Sequence, residues 1–168
     1  MSYPPNSIGS TSERSLAELT RRDLERLHRL VGEAHKLYSA NRPDLKGKLV
    51  AGCLAQGAAA HYVDGKTGVK DLDLWLFYDA RRLTTDMPNR TVRTLDFGPS
   101  RHGRHPADDA TVFTGRRVDA MARGITDHLD DPSAAVRHWL SKASKSATLL
   151  RNRPVILVWP KALLGTVL

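Results

Sequence analysis

The stretch VKDLDLWLFYDA, residues 69–80, decides the fold of this chain. A β-strand places its side chains alternately on two faces. In this stretch one face carries Asp71, Asp73, Trp75 and Phe77, and the other carries Leu72, Leu74, Leu76 and Tyr78. Beyond the aspartates both faces are apolar, which predicts a central strand covered on both sides, with the two carboxylates at its entrance.

The two aspartates need a counter-charge. Side by side they repel each other, and near an apolar interior an unpaired charge is costly. A divalent cation such as Mg²⁺, which prefers carboxylate and phosphate oxygens, would supply the charge. Alternatively, Lys66, Lys70 or an arginine neutralises the pair at an exposed strand end. A third acid, Asp119, lies in a predicted neighbouring strand and would complete a cluster with Asp71 and Asp73 around one or two metal ions.

The residues before this strand predict a helix, a strand and a short helix. Ser15 with Glu18, or Thr20 with Asp23, has the spacing of a capping box, and an amphipathic helical pattern follows. The helix ends near Pro43, because the residue before a proline avoids helical dihedrals. The following elements are a buried strand from Leu49 to about Leu54 and a short helix over residues 58–63.

The second half of the chain predicts a further strand and a helical end. The strand lies in GRRVDAMARGI, residues 115–125, whereas residues 81–97 are ambiguous. A helical pattern over residues 134–150 has Asp131 or Ser133 as its candidate cap. Residues 154–165 form either a last strand or a buried helix that Pro160 interrupts.

Composition bounds the class of protein. The 168 residues suit a single domain over residues 15–168, and residues 1–14, rich in Ser, Pro and Gly, are expected to be a disordered tail. With 26 Lys and Arg against 18 Asp and Glu, the net charge of +8 favours an anionic partner. One cysteine, Cys53, excludes an intramolecular disulfide and a Cys-based metal cluster. No run of about 18 apolar residues occurs, so we expect a soluble, cytoplasmic protein without a membrane partner.

Gly57 is the second candidate feature. It lies in AQGAAAHYV, residues 55–63, where the predicted strand turns into the short helix. Free backbone amides at a helix amino terminus, together with the helix dipole, attract phosphate. Alternatively, the glycine only permits the turn.

Taken together, Gly57-Ala58, then Asp71-Leu72-Asp73, then Asp119 resemble the pattern of the DNA polymerase beta-like nucleotidyltransferase superfamily. Order and approximate spacing agree over residues 49–121. The resemblance implies an α+β fold with a small mixed β-sheet flanked by helices. It also implies two Mg²⁺ ions, with Mn²⁺ as a substitute, and transfer of a nucleoside monophosphate from a nucleoside triphosphate to an acceptor hydroxyl on a protein, an RNA or a small molecule.

The resemblance also implies a role for each matching residue. Asp71 and Asp73 would bind both metal ions, and Asp119 would complete the catalytic metal site and receive the proton of the attacking hydroxyl. Gly57 and Ala58 would offer backbone amides to the terminal phosphates. Ala58 departs from the pattern, because the family usually has Ser or a second Gly there, and the hydroxyl contact is lost.

Positive charge for the phosphates is expected from the carboxyl-terminal part of the chain. From Pro132 onward there is no acidic residue. In related enzymes a helix after the core supplies a Lys or Ser to the phosphates, which makes SKASKSATLL the matching segment. Its candidate residues are Lys142, Lys145 and Ser146. The alternative is a basic, solvated helix face.

Other classes of function stay open at this point. A non-catalytic nucleotidyltransferase-like module would bind RNA, a nucleotide or a partner protein through its basic end, for example as a toxin–antitoxin component. A homo-oligomer is a further option, as is an unrelated α/β domain in which lysines pair with the aspartates. The basic loop RHGRHP, residues 101–106, could grip an acceptor's phosphates, but His102 and His105 lack further ligands for zinc.

Overall fold

The computed structural model describes residues 11–83 and 92–168. Its helices and strands in chain order are α1 (Arg21–Asn41), β1 (Leu49–Ala55), α2 (Gln56–Asp64), β2 (Leu72–Asp79), β3 (Arg93–Asp96), β4 (Arg117–Ile125), α3 (Pro132–Leu140), α4 (Lys145–Leu150) and β5 (Ile156–Trp159). Short 3₁₀ turns occupy Pro43–Leu45 and Lys161–Leu163.

The sheet has five strands in the order β3-β4-β2-β1-β5. Strands β2 and β4 are parallel, and the other neighbours are antiparallel. The fold is therefore α+β with a small mixed sheet flanked by helices, as predicted. Strand β2 lies at the centre, which its two apolar faces indicated.

Each face of the sheet has its own core. On one face, α1 and α2 pack against the buried Leu72, Leu74, Leu76 and Tyr78 of β2. On the other face, α3 and α4 pack against Trp75 and Phe77. The ring of Trp139 lies 4.9 Å from that of Phe77 and 6.1 Å from that of Trp75, measured between centroids. The alternation predicted for β2 is thus confirmed on both faces.

The start of α1 distinguishes between the two candidate capping boxes. The side chain of Thr20 accepts a hydrogen bond from the Asp23 amide, and the Asp23 carboxylate accepts one from the Thr20 amide at 2.8 Å. Ser15 does not begin a helix, because its backbone pairs with Val69 as an isolated β-bridge. That bridge ties the chain before α1 to the segment that precedes β2.

The predicted helix over residues 134–150 is wrong as one continuous helix. Asp131 caps α3, which ends at Leu140, and Ser144 begins α4 by accepting a hydrogen bond from the Ala147 amide. Two serines interrupt the helix because their hydroxyls bond to local backbone groups: Ser141 donates to the carbonyl of His138 at 2.6 Å.

Three further predictions are settled or limited by the structure. Residues 156–159 form a strand, β5, and not a buried helix. Part of the ambiguous segment forms β3, whereas residues 84–91 lie outside the described residues. Residues 1–10 of the expected disordered tail also lie outside the described residues. In the rest of that tail, the Ser12 hydroxyl and the Glu13 carbonyl accept hydrogen bonds from Arg116. Over residues 11–83 and 92–168, no helix has the length and apolar character to cross a membrane.

Candidate metal centre

The register between β2 and β4 brings the three predicted acids together. Asp73 lies directly opposite Asp119, and Asp71 precedes β2 by one residue. One carboxylate oxygen from each lies within 4.8 Å of the others, and all three residues are partly exposed. We call Asp71, Asp73 and Asp119 the acid cluster; its spacing could hold a metal ion.

Asp73 is the least compensated member of the cluster. Burial raises the pKa of its carboxyl to about 7, helped by the charges of Asp71 and Asp119 and opposed by Arg117. In the described part of the chain, no group donates a hydrogen bond to its side chain. Asp119 differs, because one of its oxygens accepts a hydrogen bond from the Thr94 hydroxyl at 3.1 Å. The ionised form of Asp73 therefore lacks a compensating partner, and a bound cation would be such a partner.

Arg117 is the basic neighbour of the acid cluster, and sequence reasoning did not single it out. Its Nε lies 3.2 Å from Oδ2 of Asp119, and its Nη2 lies 3.8 Å from Oδ2 of Asp71. The third contact is with Asp108, at 4.0 Å from Nη1. The 3.2 Å separation is short enough for a hydrogen bond, yet Nε makes none, so the N–H does not point at the oxygen. Arg117 thus compensates negative charge of the acid cluster without donating a hydrogen bond to it.

The lysines proposed as counter-charges do not neutralise the acids. Among the described residues, neither Lys66 nor Lys70 forms an ion pair with the acid cluster. Lys70 instead lines a cavity of about 210 Å³ beside the cluster. The cavity is lined by Lys70, Asp71, His105, Ala107, Asp108 and Arg117. A ligand bound there would contact Asp71 directly.

The two histidines of the loop of residues 101–106 have different surroundings: one lines this cavity and the other lies in the interior. His105 reaches the cavity, and its Nε2 is buried without a hydrogen-bond partner. His102 is fully buried, with its ring nitrogens 3.3 Å from Ser15 Oγ and from Asp23 Oδ2. In the described part of the chain, only the acid cluster groups possible metal ligands, and no histidine belongs to it.

The amino terminus of α2 lies at the same edge of the sheet, because Ala55 at the end of β1 pairs with Asp73. Helix α2 begins at Gln56, two residues earlier than predicted, and no side chain caps it. The left-handed residue of the turn is Gln56, with φ of 60°, and not Gly57. Such a conformation in a non-glycine residue costs about 1 kcal/mol or more and is typical of functional sites.

Gly57 does not have a positive φ, and its importance lies in the space that a side chain would otherwise occupy. A Cβ added there would lie 3.4 Å from Nη1 of Arg153 and 3.9 Å from Nη1 of Arg14. Two guanidinium groups therefore approach the uncapped first turn of α2. Arg153 lies in the carboxyl-terminal part that was expected to supply positive charge, but the sequence did not place it here. Arg14, in the expected tail, was not a candidate.

The residues predicted to bind phosphate on α4 have other surroundings. Ser146 accepts a hydrogen bond from Nη2 of Arg123 at 3.2 Å, and the Arg123 guanidinium stacks 4.7 Å above the ring of Trp75. Lys142 lies in the break between α3 and α4, Lys145 is the first residue of α4, and both are exposed. Because Trp75 follows Asp73 by two residues on the same face, these residues belong to the face of the sheet that carries Asp73.

Compared with models of protein families, with curated proteins and with solved structures, the chain matches none. A function for this chain is therefore inferred from the geometry and chemistry of the acid cluster.

Proposed function

We propose that this protein is a Mg²⁺-dependent nucleotidyltransferase that moves a nucleoside monophosphate from a nucleoside triphosphate to an acceptor hydroxyl. The observation that carries the proposal is the convergence of Asp71, Asp73 and Asp119 within 4.8 Å. Three carboxylates, of which only that of Asp119 accepts a hydrogen bond from the described residues, form an all-oxygen ligand set. Mg²⁺ prefers such ligands, and Mn²⁺ accepts them as well, so the residues fit one or two of these ions.

The roles of the acids follow from their positions. Asp71 and Asp73 hold the cations, and Asp119, oriented by Thr94, completes the ligand set and takes the proton of the acceptor hydroxyl. When bound, Mg²⁺ neutralises charge on the phosphates and activates the attacking oxygen. In the reaction, the acceptor oxygen bonds to the α-phosphorus, the bond between the α- and β-phosphates breaks, and pyrophosphate leaves.

The phosphates of the nucleotide would bind at the first turn of α2. The amides of Gly57 and Ala58 lie in that turn, which no side chain caps, and Arg153 and Arg14 approach Gly57. Backbone amides, the helix dipole and guanidinium groups all favour a phosphate there. Lys142 and Lys145, on the Asp73 face, would add positive charge farther out.

The test is transfer of label from each α-labelled nucleoside triphosphate, with Mg²⁺ or Mn²⁺, to protein, RNA and small-molecule acceptors. Asp73→Asn removes a metal ligand and is expected to lower transfer at least about 100-fold. The matched control is Asp79→Asn, which changes the other end of the same strand, where Asp79 pairs with Arg81. If Asp73→Asn transferred label as fast as the wild type, the metal-centre argument would be refuted.

A non-catalytic module is the second candidate, and Arg117 is the observation that favours it. With its guanidinium within 4 Å of Asp71 and Asp119, the acid cluster is already partly compensated. Ala58 also lacks the hydroxyl of the family pattern. Such a module would bind RNA, a nucleotide or a partner protein, for instance within a toxin–antitoxin pair in the cytoplasm. Salt-dependent RNA binding without any nucleotide transfer would distinguish it from the enzyme.

A further inference from the structure

We propose that Arg117 is a transferable counter-ion: it leaves the acid cluster when a metal–polyphosphate complex arrives and then binds the polyphosphate. The site would consequently bind the complex cooperatively and the free cation poorly. This inference rests on the proposed metal centre and adds a substrate-selecting residue to it. It follows from how Arg117 is held, where it lies and which charges surround it.

Arg117 is held loosely by the carboxylates. Three of them lie between 3.2 and 4.0 Å from its nitrogens, yet within the described residues its guanidinium donates no hydrogen bond. The side chain is 41% exposed. An arginine that lacks directed bonds and is partly solvated can change rotamer at little cost.

Other arginines of this chain show what a firm pairing looks like. Arg42 bonds to both oxygens of Asp44 at 3.1 and 2.7 Å, and Arg81 bonds to both oxygens of Asp79 at 3.1 and 3.0 Å. The fork-to-fork geometry of these pairs is the strong form of the interaction. Arg117 has more carboxylates within reach than either residue and engages none of them in this way.

Arg117 also borders space that a ligand can enter. It lines the cavity of about 210 Å³ together with a second cation, Lys70, and with His105, whose buried Nε2 has no hydrogen-bond partner. The carboxylates of Asp71 and Asp108 line the same cavity. Once a metal ion engages Asp71, the two cations outweigh Asp108, and with the unpartnered ring nitrogen they suit an anion with several acceptor oxygens. The guanidinium can therefore exchange carboxylate oxygens for phosphate oxygens without leaving this region. It would bind the polyphosphate from the β4 side of β2, whereas the first turn of α2 would bind it from the β1 side.

Charge balance makes the exchange conditional on the anion. A divalent cation on Asp71, Asp73 and Asp119 would neutralise the two carboxylates that pair with Arg117 and repel its guanidinium. A cation that arrives alone must therefore displace Arg117 and leave it only Asp108, 4.0 Å from its Nη1, as an anionic neighbour. A cation that arrives with a polyphosphate brings a new acceptor along. By linkage, each ligand then strengthens the binding of the other.

The experiment compares two affinities in the full-length protein: that of free Mn²⁺, by electron paramagnetic resonance, and that of the preformed Mn²⁺–tripolyphosphate complex, by calorimetry. In Arg117→Gln, free Mn²⁺ is expected to bind about tenfold tighter or more, because the competing charge is gone. The complex is expected to bind about tenfold weaker or more, because a phosphate-binding group is gone. Arg81→Gln, the same charge change at the far end of β2, should alter neither affinity.

Opposite changes in the two affinities are not expected from a purely structural arginine. If Arg117→Gln weakened both, or left either unchanged, the transfer of Arg117 would be disproved. Arg117→Lys, which keeps the charge without the fork, should restore weak binding of free Mn²⁺ and serves as the second variant should the glutamine variant not fold.

Asp73→Asn separates this inference from the proposed function. If Asp73→Asn binds Mn²⁺ like the wild type, there is no metal centre and both proposals fail. If Asp73→Asn loses Mn²⁺ but Arg117→Gln shows no opposite changes, the metal centre stands and only the role of Arg117 is wrong.

Discussion

Asp73 differs from its two neighbours because, among the described residues, no basic side chain forms an ion pair with its carboxylate, whereas Asp71 and Asp119 each pair with Arg117. Burial is the main reason that its pKa rises to about 7, and Asp71 and Asp119 add to the effect. A carboxyl of this kind is either protonated or paired with a cation near neutral pH. At the scale of one residue, the ionised form of Asp73 is thus unfavourable, and a bound metal ion would stabilise it.

This pKa predicts how stability depends on pH. Without metal, the folded protein keeps the Asp73 proton up to about pH 7, whereas the unfolded chain releases it near 3.8. Since folding takes up a proton between these values, the free energy of unfolding falls as the pH rises from about 4 to about 7, by at most about 1.4 kcal/mol per pH unit. The loss is complete above about pH 7.

Urea unfolding of the wild type and of Asp73→Asn across this pH range measures the effect. The difference between the two proteins isolates Asp73 from other acids such as Asp96, whose pKa is lowered and which therefore affects stability at lower pH. A wild type and an Asp73→Asn variant with parallel pH profiles would contradict the raised pKa.

At the scale of elements, a single buried arginine, which precedes β4 by one residue, joins that strand to three other segments at the edge that carries the acids. Arg116 donates to the carbonyls of His102, Glu13 and Lys70 at 2.8, 3.1 and 3.3 Å, and to the Ser12 hydroxyl at 3.0 Å. Its side chain is fully buried, and burial lowers its pKa. One of these acceptors, the carbonyl of Lys70, immediately precedes Asp71, so the interior arginine positions the chain that carries this member of the acid cluster.

Arg116→Met is therefore expected to destabilise the protein by at least about 2 kcal/mol, because buried carbonyls lose a charged donor. Affinity for Mn²⁺ should also fall, since the carbonyl of Lys70 is released next to Asp71. Urea unfolding and Mn²⁺ titration measure the two effects. Arg101→Met is the control, because Arg101 is exposed and makes one long hydrogen bond of 3.5 Å, to the Glu18 carbonyl. Equal stabilities of the two variants would contradict the role of Arg116.

At the scale of the whole molecule, the acid cluster joins a central strand, its parallel neighbour and the segment before them. A cation bound there would contact parts of the chain that are far apart in sequence, and it would bind only the folded protein. Ligand binding to the native state alone stabilises it by mass action. Metal binding to the acid cluster should therefore raise the global stability.

Mn²⁺ at about 100 times its dissociation constant is expected to raise the free energy of unfolding by about 2.7 kcal/mol. Asp119→Asn should lose this gain, because it removes the ligand that β4 contributes. Asp79→Asn should keep it, since that residue pairs with Arg81 at the other end of β2. Thermal or urea unfolding with and without Mn²⁺ is the measurement, and equal stabilisation of both variants would place the ion elsewhere.

Local patterns in the chain were enough to predict several features. Period-two alternation in residues 69–80 predicted a strand apolar on both faces, and this is β2 at the centre of the sheet. Capping-box spacing included the true start of α1 at Thr20. These predictions succeeded because burial and capping depend on residues close in sequence. The break between α3 and α4 was missed because the helical pattern continues through Ser141 and Ser144. Nothing in that pattern shows that their hydroxyls bond to local backbone groups.

Long-range pairing decided the rest of the site. Two strands separated by more than 35 residues could have paired in either direction; the parallel register of β2 and β4 is what sets Asp119 opposite Asp73. Likewise, nothing local to Arg117, Arg153 or Arg14 reveals that the first borders the carboxylates and the others approach Gly57. Periodicity reflects neighbours only a few residues apart, so the sequence alone established the central strand and its two aspartates. Which basic side chains lie beside the acid cluster and beside Gly57 depends on how distant segments pack, and it was decided only in the folded chain.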